Sequence, residues 1–162
     1  MRRELAGKRF VHLATHGLAE RGGNELFAAL ALTPPAGEST PGDDGLLELQ
    51  EIYGLTLDAD LAVLSACGSS TGRAVPGEGV FALSRGFLVA GARRVVASLW
   101  PVDDDATAEL VGRLFRELAD VERGKRSEST AAALREAKLA VRHRPGWEHP
   151  FFWAPFVLSG AG

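Results

Sequence analysis

Residues 59–72 read ADLAVLSACGSSTG. The run Asp60 to Ala66 (DLAVLSA) is almost continuously apolar, the pattern of a strand covered on both faces in a parallel sheet. It stops at Cys67-Gly68-Ser69-Ser70-Thr71-Gly72, which reads as a flexible loop. A reactive residue type therefore sits where a central strand ends. Upstream, Phe10 to Thr15 (FVHLAT) is a second buried run, halted by His16-Gly17. Downstream, Arg94 to Trp100 (RVVASLW) is a third, stopped by Pro101.

Helical patterns fill the intervals. Val80 to Ala90 reads as an apolar helix with Gly91 as its cap. Asp103 to Asp105 open a helix that runs to about Leu118, with carboxylates at the positive end of its dipole. Thr130 to Val141 is another, with Leu134, Ala137 and Val141 on one stripe. Leu46 to Leu55 has apolar positions at 46, 49, 52 and 55, the spacing of a short helix. Leu26 to Leu32 fits a strand or a short helix equally. Phe151 to Leu158 (FFWAPFVL) reads as a final strand. Pro155 cannot donate to a ladder, which puts that strand at a sheet edge. Segments 34–45 and 122–129 read as loop and linker, the places most open to cutting. Buried strands alternating with helices predict an α/β sandwich with a mostly parallel sheet. In such sheets the sites lie beyond the carboxyl ends of the strands.

The chain has 162 residues, enough for one domain. Apolar residues make up 46% and charged residues 24%, which is ordinary for a globular protein. Eighteen basic against 21 acidic residues leave a net charge of −3. No basic excess points to nucleic acid or to an anionic membrane surface as partner. No apolar run reaches the roughly 18 residues of a membrane span, and VHLAT is too short for a signal-peptide core. The single cysteine allows no internal disulfide, which fits a reducing compartment. The reading is cytoplasmic. No second cysteine or tight His/Asp/Glu cluster suggests zinc, and Gly77-Glu78-Gly79 lacks the rest of a phosphate loop, so no metal or cofactor is expected.

The chemistry concentrates at two strand ends. If the strands before His16 and Cys67 are parallel neighbours, both side chains emerge at one edge of the sheet. A thiol nucleophile and its base need that arrangement. The imidazole supports the thiolate and later protonates a leaving amine. Gly17 and Gly68 let backbone approach a substrate closely, and amides there can hold an oxyanion. Plainer readings stand beside these. A lone buried cysteine is usually a small hydrophobe, and a histidine before glycine is often a turn residue. Carboxylates at 103–105 cap a helix, or one of them faces the cleft and selects a substrate Arg or Lys. His12 reads as a packed or partly exposed strand residue, His143 as the end of a helix, and His149 as a turn.

The stretches VHLATHG (11–17), ADLAVLSACGSSTG (59–72), GEGVFALSRGFLVAGARRVVASLWPVDDDAT (77–107) and HPFFWAPFVLSG (149–160) together resemble the CHAT domain. This is a caspase-like family among the cysteine peptidases that also include separase, gingipain and metacaspase. The resemblance implies one domain over 1–162 with a caspase-like three-layer α/β fold, helices on both faces of the sheet. It implies a dyad in which His16 is the family histidine and Cys67 the nucleophile; their separation, 67 − 16 = 51, is near the about 50 of caspases. Gly17 and Cys67 would supply the oxyanion amides. LWPVDDD resembles the separase stretch that lines the primary specificity pocket, which puts Asp104, with Asp103 beside it, at the substrate.

Two departures from the family pattern bear on this. The nucleophile is followed by Gly68-Ser69-Ser70 rather than Glu-Thr. Only nine residues precede Phe10, so the first strands of the usual fold are expected to be missing. That would leave an edge strand open to pairing and oligomer formation. The helical-repeat arrays common beside CHAT domains are absent too, which suggests a separate regulatory partner of that type. The expected function is a cysteine endopeptidase acting on a protein or peptide, with a preference for a basic residue before the scissile bond. The rival is a non-catalytic interaction module, completed by a partner through strand addition. A thiol redox sensor would need a resolving cysteine from another chain.

Overall fold

The computed structural model describes residues 5–18, 28–33, 44–65, 67–68, 78–124 and 129–160, with 67–68 and 78–79 described as backbone. Strands β1 (Phe10–Leu13), β5 (Leu61–Leu64), β7 (Arg94–Ser98) and β8 (Phe156–Gly160) form one sheet in the order β1-β5-β7-β8. The first three are parallel and β8 is antiparallel to β7. A second sheet, in the order β4-β3-β2-β6, contains β2 (His16–Leu18), β3 (Ala29–Ala31), β4 (Leu46–Glu48) and β6 (Cys67–Gly68).

Side-chain alternation along the strands divides the core in two. Val11, Leu13, Ala62, Leu64, Val95 and Ala97 face one way and pack with Leu83 and Phe87 of α2 (Glu78–Val89) and with Ile52 of α1 (Leu49–Tyr53). Leu61, Val63, Val96 and Phe156 face the other way. They pack on Leu110 and Leu114 of α3 (Asp104–Glu122) and on Ala137 and Val141 of α4 (Thr130–Arg142). All four residues of β5 are buried, as a strand covered on both faces should be. The fold is the three-layer α/β sandwich that the alternation of runs predicts.

Several boundaries differ from the sequence reading, each for a tertiary reason. Leu46 to Leu55 is not one helix. Leu46–Glu48 pairs antiparallel with Ala29–Ala31, and Leu47 and Leu30, opposite each other, are both buried. Helix α1 starts only after Glu48, whose N–H donates to Glu51 Oε2 at 3.1 Å, a local capping contact. The same pairing resolves the ambiguity of the preceding run, since Ala29–Ala31 is a strand. Residues 26–27 lie outside the described residues.

Phe151 to Leu158 is likewise divided. His149 caps a short helix, α5 (Pro150–Trp153), by accepting from the Phe151 N–H on Nδ1 at 3.2 Å. Proline at the first helical position needs no donor there. Strand β8 starts after Pro155, whose carbonyl accepts from the Leu99 N–H. As Pro155 suggested, β8 lies at a sheet edge, with β7 its only neighbour among the described residues. Helix α3 is longer than its pattern, reaching Glu122. Of the expected cut segments 34–45 and 122–129, residues 34–43 and 125–128 lie outside the described residues, while Glu122 ends α3 and Ser129 caps α4.

Candidate active site

Two ladders meet end to end. In the first sheet β1 pairs with β5 in the register Phe10↔Leu61 through Leu13↔Leu64. The Ser65 N–H then donates to the Leu13 carbonyl at 3.1 Å and carries the pairing one step further. In the second sheet β2 pairs parallel with β6, with His16↔Cys67 and Gly17↔Gly68. The offset is the same throughout: 61 − 10, 64 − 13 and 67 − 16 are all 51. The chains that leave β1 and β5 thus stay in step while passing from one sheet to the other.

His16 and Cys67, expected where two strands end, stand in the short strands β2 and β6 that continue from them. They are paired residues in a short parallel ladder beyond the carboxyl ends of the main sheet. Neighbouring strands lie about 4.8 Å apart, so the two backbones are adjacent. His16 is exposed and Gly17 is buried. On its other side β2 is braced by β3, with His16 opposite Ala31. Thr15 Oγ1 donates to the Ala31 carbonyl, which anchors the turn just before His16.

The acidic stretch sits where β7 gives way to α3. Asp103 is the N-cap of that helix, and its Oδ1 accepts from the Ala106 N–H at 2.9 Å. Asp104 and Asp105 occupy the first turn and are exposed. The carboxylate of Asp103 is thus engaged by its own helix, and that of Asp104 faces solvent. Nearby, Trp100 Nε1 donates to the Phe151 carbonyl at 3.2 Å and fixes α5 against this corner.

The remaining histidines take structural positions. His143 is the C-cap of α4 and His149 the N-cap of α5. His12 is different. Its Nε2 and Ser65 Oγ share a hydrogen bond of 2.9 Å, and its ring leans on Phe115 with centroids 6.1 Å apart. The residue is exposed at the surface, but partial desolvation of its ring lowers its pKa below the ordinary 6.5. Sequence reading treated His12 as packing and did not single out Ser65; the 51-residue offset, extended two residues along β5, would have brought the pair together. Among the described residues no three His, Cys, Asp or Glu side chains gather as a metal site. No helix among them is long and apolar enough to cross a membrane.

The CHAT domain profile matches residues 1–161. The chain belongs to the CHAT domain family. Human tetratricopeptide repeat protein 28 is 34% identical over 121 residues, which is 75% of this chain and 5% of that protein. The mouse protein of the same name is 34% identical over 116 residues, 72% of this chain and 4% of its own length. This CHAT domain thus spans about a twentieth of the length of the curated relatives it matches.

Proposed function

We propose that this CHAT domain is a caspase-like cysteine endopeptidase with a Cys67/His16 dyad. The observation that carries the reading is the register pairing of the only cysteine in the chain with a histidine at the carboxyl edge of a parallel sheet. In the proposed reaction the Cys67 thiolate attacks the scissile carbonyl carbon. The amides of Gly17 and Cys67 hold the oxyanion. The C–N bond breaks as His16 gives a proton to the leaving amine. Water then attacks the thioester, the carboxyl product leaves, and the thiol is restored. Asp104, exposed in the first turn of α3, is the carboxylate available to a basic residue before the scissile bond, while Asp103 is engaged as a cap. A free thiol nucleophile suits a reducing compartment, which supports a cytoplasmic site of action.

The test is cleavage of a peptide library by wild type and by Cys67→Ala, together with the pH dependence of Cys67 alkylation. Cleavage that ends in Cys67→Ala, and a thiol that titrates higher in His16→Ala, support the dyad. Equal cleavage by wild type and Cys67→Ala would rule it out.

A second reading, a binding module, is favoured by one observation. β1 is an edge strand of the main sheet, with Phe10 36% exposed. Such an edge can accept a strand from a partner or from a second copy. The name of the relatives contains tetratricopeptide repeats, so a helical-repeat protein is the partner we propose for regulation. This reading predicts an unreactive Cys67 and a stable complex.

A further inference from the structure

The face of β5 turned toward α3 is aliphatic at Leu61 and Val63 and then polar at Ser65, although Ser65 is still buried. A buried hydroxyl without a partner is costly, and this one has His12 Nε2 at 2.9 Å. The bond runs diagonally between adjacent strands: His12 stands opposite Val63, two residues before Ser65. It crosses at the last step of the β1–β5 ladder, where the chains turn out toward β2 and β6. Phe115 of α3 backs the His12 ring, so the imidazole is held from two sides. At the other end of the same ladder Arg9 Nε donates to Asp60 Oδ2 at 2.8 Å. That pair is exposed at its guanidinium and screened by water. Among the described residues, the His12–Ser65 bond is a side-chain tie between β1 and the chain leaving β5, at the end of the ladder that leads to His16 and Cys67.

We propose that His12 and Ser65 are positioning residues that hold the two chains in step as they leave the main sheet, and so keep His16 opposite Cys67. The proposal rests on the dyad reading for its consequence in catalysis, and on the ladder geometry alone for its structural content. A hydrogen bond that ties the buried Ser65 hydroxyl to the exposed His12 favours one alignment, because a slipped alignment leaves the Ser65 hydroxyl buried without this partner.

The test compares His12→Ala, Ser65→Ala, the double variant and His12→Gln with Val63→Ala. The last removes buried packing from the same face without touching a polar contact. The first readout is the rate of Cys67 alkylation at neutral pH. His12→Ala and Ser65→Ala each slow it by about 10- to 100-fold, the scale of a misplacement of about 1 Å. The double variant is no slower than either single one, since both remove the same bond. His12→Gln, whose side-chain amide can still reach Ser65, recovers most of the rate, and Val63→Ala keeps it. Rates in His12→Ala and Ser65→Ala equal to wild type overturn the proposal, as does a loss in Val63→Ala of the same size.

The second readout is amide hydrogen exchange over residues 13–18 and 64–68. Faster exchange there in His12→Ala and Ser65→Ala than in Val63→Ala upholds the tie, and unchanged exchange refutes it. If wild-type alkylation proves indifferent to His16→Ala, the dyad reading falls by itself. The exchange experiment then still decides whether His12 and Ser65 hold the ladder.

Discussion

Gly91 ends α2 at a backbone φ of +112°. Its N–H donates to the Leu88 carbonyl at 3.1 Å, and the Ala92 N–H returns to the Phe87 carbonyl at 2.9 Å. The helix end is fastened to the segment leading into β5 by two further bonds. The Leu57 N–H donates to the Ala90 carbonyl at 2.7 Å, and the Arg93 N–H to the Ala59 carbonyl at 2.8 Å. A Cβ at Gly91 would overlap the Leu57 carbonyl oxygen and come within 3.1 Å of its carbon. Gly91→Ala therefore meets two penalties. A side chain in a φ region that glycine alone adopts easily costs about 1–3 kcal/mol. Overpacking against backbone adds about 1–3 kcal/mol, so we expect a loss of about 2–6 kcal/mol.

Gly124 separates the two penalties. It follows α3 at a φ of +70°, and a Cβ there would meet nothing within 4 Å. Gly124→Ala should cost only the conformational penalty, about 1–2 kcal/mol. Urea unfolding of wild type and both variants, with slopes compared to check that the unfolded states match, measures the difference. Equal destabilisation by Gly91→Ala and Gly124→Ala would show that the contact with Leu57 does not limit the position. The link between α2 and the entrance to β5 would then be weaker than this packing implies.

Asp103→Ala should cost about 1 kcal/mol in urea unfolding through loss of the cap on Ala106. Asp104→Asn should leave stability within about 0.5 kcal/mol and weaken cleavage after Arg or Lys; a large stability change in Asp104→Asn would contradict that division of roles. Because burial lowers the pKa of folded His12, the unfolded chain takes up that proton first as pH falls. Its contribution is complete above about 6.5 and is lost as pH drops through the lower native value. Wild type should accordingly lose more stability than His12→Gln between about pH 7.5 and about pH 5.5, and parallel curves would argue against desolvation of the His12 ring. Inserting one residue between Ala14 and Thr15 should abolish the His16 dependence of Cys67 alkylation, because a slip of one residue moves every side chain to the other face. A second insertion, between Ser65 and Ala66, should restore it if register is what matters.

The main sheet was legible because its strands are short and apolar and are punctuated by glycine and proline. The continuous run at Asp60–Ala66 marked the central strand, and Pro155 marked an edge. What was not legible depended on partners distant in sequence. Leu46–Glu48 has helical spacing on paper, yet it is a strand because Ala29–Ala31 lies beside it. Phe151–Trp153 looks like part of a strand, yet the His149 cap and Pro150 start a helical turn. Cys67–Gly68 looks like a loop, yet β2 supplies a partner. At Leu46–Glu48 and Cys67–Gly68 a long-range pairing overrides the local pattern, as expected where strand preference reflects packing more than backbone, whereas at Phe151–Trp153 a neighbouring cap does so.

The candidate site follows from the same logic. The 51-residue separation of His16 and Cys67 can be read from the sequence, but its physical origin is the register of a ladder that begins at Phe10 and Leu61. That register is supported by buried side chains: Val11, Ala62 and Leu64 are each less than 5% exposed, and a slip would turn them toward the wrong core. The alignment of His16 with Cys67 is therefore continuous with a well-buried ladder of the main sheet. Asp104 stands instead on the exposed first turn of α3, where a substitution disturbs little packing. In the proposed peptidase, substitutions at the start of α3 would change which residue is accepted while the pairing of His16 with Cys67 stays fixed. In the proposed arrangement, changes at His12 or Ser65 lack that freedom, because they act on a side-chain tie at the end of the β1–β5 ladder.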